Sequence, residues 1–375
     1  MSTHLIGSTS VSDAELTDIV TRALGRPVVV KTWSADEVDY PVFGSPSTGT
    51  LRRVHGVTDD GEPFRVFLKV VHSPRHWPHL HMLPEPARQA FVDNFPWRTE
   101  LAAWQPDFTD HLPTGLRVPH LYRLTELGDD RVALWMEDVA EHPDAWEVPR
   151  FARAAHLLGG FAAGRSAPEV IAAAEWPPGY GLRMYRHARL SGALPQLEDD
   201  ALWAHPLVAA SVDSHLRADL RTLAGRLDQI LDRLDELPQS MPHGDASPQN
   251  LLVPSDEPDT FVAIDASFQT PHAIGFDLGQ LLVGLVHAGQ FPAGRLPELH
   301  ETLVSSFLDG MAEYGKPSAS DDVAYGFIGS LVIRSAFTAL PWERLNEPSS
   351  TELTADFHER AQLTRFIVDR GLALT

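Results

Sequence analysis

The 375-residue chain contains no cysteine. That excludes disulfides, thiolate zinc sites, iron–sulfur clusters and cysteine nucleophiles, and leaves any metal to oxygen or imidazole ligands. Positive charge is scarce: 30 Lys and Arg stand against 51 Asp and Glu, for a formal net charge of −21. Such a field repels phosphate backbones and anionic bilayers, so neither nucleic acid nor a membrane is an expected partner. It would attract a cationic small molecule or basic peptide, although acidity also serves solubility alone. Long hydrophobic runs are missing; Leu278 to Val286 is too short to span a bilayer. Met1 to Ser12 carries no basic segment ahead of an apolar core, so the expectation is a cytoplasmic protein without a secretory signal. Hydrolase signatures are absent too: there is no Gly-x-Ser-x-Gly elbow and no His-Glu-x-x-His helix. The run Gly310 to Pro317 nearly spells a phosphate-binding P-loop, but Pro317 stands where Ser or Thr must reach magnesium.

What is present is globular: 43% hydrophobic and 22% charged residues. The length exceeds what one core usually serves, which predicts two domains. Ser12-Asp13-Ala14-Glu15 is a capping box opening a helix to Leu24, with Gly25 as its stop. Strands are expected from Pro27, over Leu51 to Val57 and over Phe64 to Val71, the last two joined by an Asp59-Asp60-Gly61-Glu62 turn. A helix is expected from about Glu85 to Trp104, followed by strands Val118 to Leu127 and Arg131 to Val139. From Pro149 the spacing of Phe151, Ala155, Leu158 and Phe161 turns helical. Helical patterns continue at Leu216 to Leu237 and from Leu278 onward, interrupted only by a strand-like Asn250 to Ile264. The reading is an α+β chain with a β-rich lobe over residues 1–139 and a largely helical lobe over residues 140–375.

Chemistry concentrates in Met241-Pro242-His243-Gly244-Asp245-Ala246-Ser247-Pro248-Gln249-Asn250, then Ile264-Asp265, then Gly275-Phe276-Asp277-Leu278. A loop thus carries a carboxylate and an amide five residues apart, and an apolar strand pair delivers a second carboxylate. Phosphoryl transfer needs such a set: one carboxylate orients the attacking hydroxyl and takes its proton, while an amide and a second carboxylate hold Mg²⁺ against the phosphates.

These residues resemble a known family. His-x-Asp-x-x-x-x-Asn is the spacing of the protein-kinase catalytic loop. The form His243-Gly244-Asp245 with the later Gly275-Phe276-Asp277-Leu278 is similar to the aminoglycoside phosphotransferase and choline kinase branch. The resemblance implies a bilobal kinase-like fold. It makes Asp245 the catalytic base, Asn250 and Asp265 the magnesium ligands, and His243 and Asp277 structural supports of the loop. In the first half it implies that Lys69, on the third strand, contacts the ATP phosphates and pairs with Glu100. It also implies that Glu137 to Val139 form the hinge that reads adenine, and that the loop of Gly44, Ser45 and Gly49 covers the phosphates. The chain departs from protein kinases in three places. Ala266-Ser267 follows Asp265 where they carry Phe-Gly, the Gly44 loop lacks Gly-x-Gly-x-x-Gly, and the connection from Lys69 to Glu100 is long.

The implied activity is ATP-dependent transfer of the γ-phosphate to a hydroxyl on a small molecule such as an antibiotic or metabolite. The alternatives are Ser/Thr of a peptide natural-product precursor as acceptor, and a pseudokinase that only binds. Two further features need placing. Four histidines lie between His72 and His81, read as a surface loop because prolines break any common face. The acidic Glu198-Asp199-Asp200 lies in the region that, in the family, often shapes the acceptor pocket and could bind amines.

Overall fold

The structure, a computed structural model, describes residues 3–40, 45–266 and 268–374. The capping box is formed: Ser12 Oγ accepts from the Glu15 N–H at 3.3 Å, and Glu15 Oε2 accepts from the Ser12 N–H at 3.0 Å. With those donors met, helix Asp13–Leu24 starts there and ends at Gly25, whose φ is 67°. A hairpin of Thr3–Ile6 with Thr9–Ser12 precedes it. The polar sequence did not announce that hairpin.

Contacts divide the chain into two compact units. The first comprises Met1–Thr109, Val118–His142 and Val253–Pro258. Its frame is a five-stranded antiparallel sheet in the order Val30–Glu37, Thr48–Thr58, Pro63–His72, Arg131–Met136, Leu121–Gly128. Alternation along the central strand sorts its faces. Val66, Leu68 and Val70 pack with Leu16, Ile19 and Val20 of the first helix. Phe67 and Val71 pack with Leu134, Trp97 and Leu101 on the other side. Because the side-chain period is two, Lys69 shares that second face, and a one-residue slip would bury it in the wrong core.

Two sequence expectations in this unit are corrected. The helix expected over 85–104 is two pieces, an α-helix Glu85–Asn94 and a 3₁₀ helix Thr99–Trp104. Pro96 is the reason. Phe95, just before it, is extended at φ −78° and ψ 122°, because a following proline ring disfavours helical backbone. The strand expected over 131–139 stops at Met136.

The second unit comprises Asp110–Arg117, Pro143–Leu252 and Asp259–Thr375. Helices Val148–Gly164, Leu278–His287, Leu296–Glu313, Ser320–Leu331 and Thr351–Leu372 carry it. Phe151, Phe161, Phe307, Phe327 and Phe357 lie fully inside. Helix Leu296–Glu313 approaches helix Val148–Gly164 so closely that a Cβ on Gly310 would stand 1.9 Å from the His156 carbonyl oxygen. Gly310 is therefore a packing glycine on a helix, and the near-P-loop run has no cradle. The helix expected over 216–237 is broken at Gly225-Arg226 into Leu216–Ala224 and Leu227–Glu236. Two small ladders tie the loops. Gln239–Ser240 pairs with His272–Ala273, and Leu251–Leu252 pairs with Phe261–Ala263, which in turn runs parallel to Leu116–Arg117. Two-residue strands are too short to show a period, so the sequence revealed only the second ladder. Among the described residues no helix is long and apolar enough to cross a membrane. The architecture is α+β, the class expected.

Candidate active site

In the first unit, strand Pro63–His72 holds Lys69 opposite Leu51 and Leu134. Its Nζ donates to Glu100 Oε1 at 2.7 Å, and both side chains are 8% exposed. The 3₁₀ turn, rather than the preceding α-helix, supplies Glu100. The chain has three lysines, Lys31, Lys69 and Lys316, and Lys69 alone of these is buried. A buried ammonium persists only with a close anionic partner, so the pair is a matched unit.

In the second unit, the loop after Gln239–Ser240 is pinned by Asp277, which precedes helix Leu278–His287. Asp277 Oδ2 accepts the His243 N–H at 2.9 Å and Oδ1 accepts the Gly244 N–H at 2.8 Å. Burial pushes the Asp277 carboxyl above the usual carboxylate range, against the opposing pull of His243 and the two N–H groups. Burial likewise pushes His243 below the usual histidine range, opposed by Asp277, Asp245 and Asp265. Its Nδ1 accepts the Asp245 N–H at 3.3 Å. Gly244 has φ +91°, and a Cβ there would stand 2.5 Å from the Phe268 carbonyl oxygen. Only glycine makes that turn without displacing backbone.

The turn presents Asp245, whose side chain is 29% exposed. Both of its oxygens are engaged. Asn250 Nδ2 donates to Oδ2 at 3.1 Å and to the Asp245 carbonyl at 2.8 Å. Arg334 Nη2 donates to Oδ1 at 3.0 Å, and Nη1 donates to the Gly244 carbonyl at 2.9 Å. Asn250 and Asp265 meet through the short ladder: Leu251 pairs with Ala263, and the Ile264 N–H donates to the Asn250 carbonyl at 2.9 Å. Asp265 follows with φ 58°, left-handed for a non-glycine residue. Strain of that kind persists where surrounding structure imposes it, often at functional sites.

Asn250 and Asp265 fit a hard divalent cation. The Asn250 amide nitrogen is committed to Asp245, which leaves the amide oxygen as the end that could ligate a cation. An amide oxygen and a carboxylate are Mg²⁺ ligands, and Mg²⁺ usually completes its octahedron with water and phosphate oxygens rather than an all-protein cage. Among the described residues no group of three or more His, Cys, Asp or Glu is placed to hold a metal.

The remaining expected residues are less concentrated. Gly44 lies outside the described residues. Ser45 closes a turn through its hydroxyl to Thr48 Oγ1 at 2.8 Å, and Gly49 backs onto the ring of His72. The Glu137 carboxylate accepts the His120 N–H at 3.0 Å, tying down the start of a strand, and Val139 is buried. The His72–His81 segment folds into two 3₁₀ turns, Pro74–His76 and Leu80–Met82. The acidic run is satisfied locally. Glu198 takes Arg221, Asp200 takes Arg217, and Asp199 caps helix Asp200–Trp203.

Sequence reasoning missed Arg334, and it placed Asp138 in the hinge segment without its arginine partners. Arg334 stands in Leu331-Val332-Ile333-Arg334-Ser335-Ala336-Phe337, where a lone charge in an apolar run was the available signal. Asp138, 2% exposed, takes Arg53 Nε at 3.1 Å and Arg65 Nη2 at 2.6 Å, a pairing that strand register alone could suggest.

No protein-family model and no curated protein matches the sequence. Solved structures do resemble it. The AMP-bound complex of a spectinomycin phosphotransferase is 12% identical, covers 97% of this chain and 99% of its own, and has a TM-score of 0.49. An amicoumacin kinase in complex with AMP-PNP, Ca²⁺ and its antibiotic is 14% identical, with coverage of 89% and 88% and a TM-score of 0.48. An aminoglycoside phosphotransferase from Alicyclobacillus acidocaldarius is 14% identical, with coverage of 92% and 90% and a TM-score of 0.47.

Proposed function

We propose that the chain is an ATP-dependent phosphotransferase that moves the γ-phosphoryl group to a hydroxyl of a small molecule. The observation that carries this reading is the Asp245 carboxylate, held on both oxygens by Asn250 and Arg334 on a loop pinned by Asp277. A carboxylate fixed so firmly and still exposed by 29% is suited to orient a hydroxyl rather than to stabilise a core. Asp245 accepts the proton of the acceptor O–H as that oxygen attacks the γ-phosphorus. The bond from that phosphorus to the bridging oxygen of ADP breaks. Lys69, steadied by Glu100, carries positive charge to the nucleotide phosphates. Asn250 and Asp265 would hold Mg²⁺, which when bound would supply positive charge against the phosphates. Most of the rate in this class comes from positioning and charge.

The two carboxylates then fail differently. Asp245→Asn keeps size and loses the base, so Mg·ATP still binds while transfer slows by about 10²–10⁴. Asp265→Asn removes metal-holding charge, so activity collapses and excess Mg²⁺ or Mn²⁺ restores a part. Nucleotide affinity and transfer rate measured across a metal titration, with hydroxylated small molecules beside Ser/Thr peptides as acceptors, test this. If neither substitution alters transfer, the phosphotransferase reading falls. If only peptides accept phosphate, the small-molecule acceptor is wrong.

A further inference from the structure

Arg334 is the unexplained charge in the second unit. It sits on a π-helical turn, Val332–Ala336, that follows helix Ser320–Leu331. A π-turn inserts one residue and re-aims the side chains after it, and it recurs at functional sites. Here the Arg334 carbonyl is taken up by two hydroxyls, Tyr185 at 2.8 Å and Thr338 at 3.2 Å. The guanidinium lies against Phe268 and Phe276, with its Cζ 5.3 and 5.4 Å from the two ring centroids. It is 11% exposed. Main chain and head group are thus both held, so the fork has little freedom left to lose.

What the fork grips is the candidate base and the peptide before it. Nη2 meets Asp245 Oδ1 at 3.0 Å while Nη1 meets the Gly244 carbonyl. Asp277 holds the same loop from its amide side, through the His243 and Gly244 N–H groups. A guanidinium is planar and presents two donors at fixed spacing, which an ammonium cannot do. With Asn250 on Oδ2 and Arg334 on Oδ1, rotation of the carboxylate about its Cβ–Cγ bond is blocked. Each oxygen keeps a second lone pair for the acceptor hydroxyl.

We infer that Arg334 is a positioning residue that locks the rotamer of Asp245 for hydroxyl activation; this rests on the phosphotransferase reading above. It acts through Asp245, since its guanidinium bonds fall on Asp245 and the Gly244 carbonyl rather than on Asn250 or Asp265, so its loss lowers kcat and spares nucleotide binding. Misplacement of a reacting group by about 1 Å can cost about 10²-fold in rate. The test uses the full chain with Mg·ATP, measuring ATP affinity and turnover against water and a panel of hydroxylated small molecules. Arg334→Ala is expected to retain ATP affinity within about twofold and to lose turnover by about 10- to 100-fold. Added guanidinium should restore part of that turnover, and Arg334→Lys should do less well than the rescued Ala variant. Should Arg334→Ala fail to fold, Tyr185→Phe, which unpins the π-turn carbonyl and keeps the charge, is expected to lower kcat without raising the ATP KM. Wild-type turnover that Arg334→Ala leaves unchanged, or a loss seen equally in ATP affinity and unaffected by guanidinium, overturns the role of Arg334 and leaves the function standing. Absence of any turnover by the wild-type chain overturns the phosphotransferase reading and this role together.

Discussion

Lys69 and Glu100 form a single buried contact whose stability role and proposed chemical role can be separated. Both side chains are 8% exposed and 2.7 Å apart. Removing one member takes its partner at 2.7 Å from a charge that stays in the interior; breaking a buried pair in this way typically costs about 3–5 kcal/mol, while replacing both by apolar residues is often neutral. Lys69→Ala should therefore lower stability by about that amount. The double variant Lys69→Met with Glu100→Leu should recover it, read from urea denaturation midpoints. If Lys69 serves the nucleotide, the double variant stays unable to bind Mg·ATP although it is stable. An ATP titration that finds normal affinity in that variant removes Lys69 from the phosphate site. The pair was anticipated from sequence through the resemblance, which sets a lysine on the third strand against a glutamate on the element that follows, although the connection between them is long. The turn type that delivers Glu100 was not, because Pro96 splits the helix pattern.

The loop from Met241 to Asn250 behaves as one element, although its constraints come from several distant parts of the chain. Asp277 supplies acceptors to its amides, Arg334 donors to a carbonyl and a carboxylate, Asn250 a link back to Asp245, and Phe268 a wall beside Gly244. Gly244→Ala places a Cβ 2.5 Å from the Phe268 carbonyl in a backbone of φ +91°. Strain of about 1–3 kcal/mol is expected, with loss of transfer as Asp245 shifts. Paired thermal melts and turnover assays check it, and a variant with unaltered melting and full turnover would show the loop to be more pliant than its contacts imply. The Asp245–Asn250 spacing was legible because both residues lie on one loop five residues apart. Arg334 was not, because it lies 89 residues away from Asp245 in sequence.

Taken as a molecule, the protein combines excess surface acidity with histidines locked neutral inside. Burial lowers His272 and His287 to about 3 and His300 to about 4. In the unfolded chain each binds a proton near pH 6.5. The unfolded state thus holds more protons than the folded one below that pH, and stability falls as pH drops from 6.5 toward the folded values. Each such group contributes a slope of up to about 1.4 kcal/mol per pH unit. This opposes the relief of self-repulsion that acidification gives a chain of net charge −21. Three histidines together should win, so the melting temperature is expected to decline between pH 6.5 and 5, above the range where ordinary carboxylates titrate. His300→Gln should flatten the slope. A melting temperature that rises across that window would mean that charge repulsion dominates instead.

The amino-acid order alone announced the α+β class and the capped first helix, because these depend on alternation and turn chemistry; it nominated Asp245, Asn250 and Asp265 by their spacing, and Lys69 and Glu100 through the resemblance. Arg334 reaching Asp245, Asp138 collecting two arginines, and the acids at 198–200 being matched to Arg217 and Arg221 all depend on chain returns over tens of residues. Local patterns carry no distance information at that range. Only packing of the apolar faces brings those charges together, and burial then sets how strongly each is held.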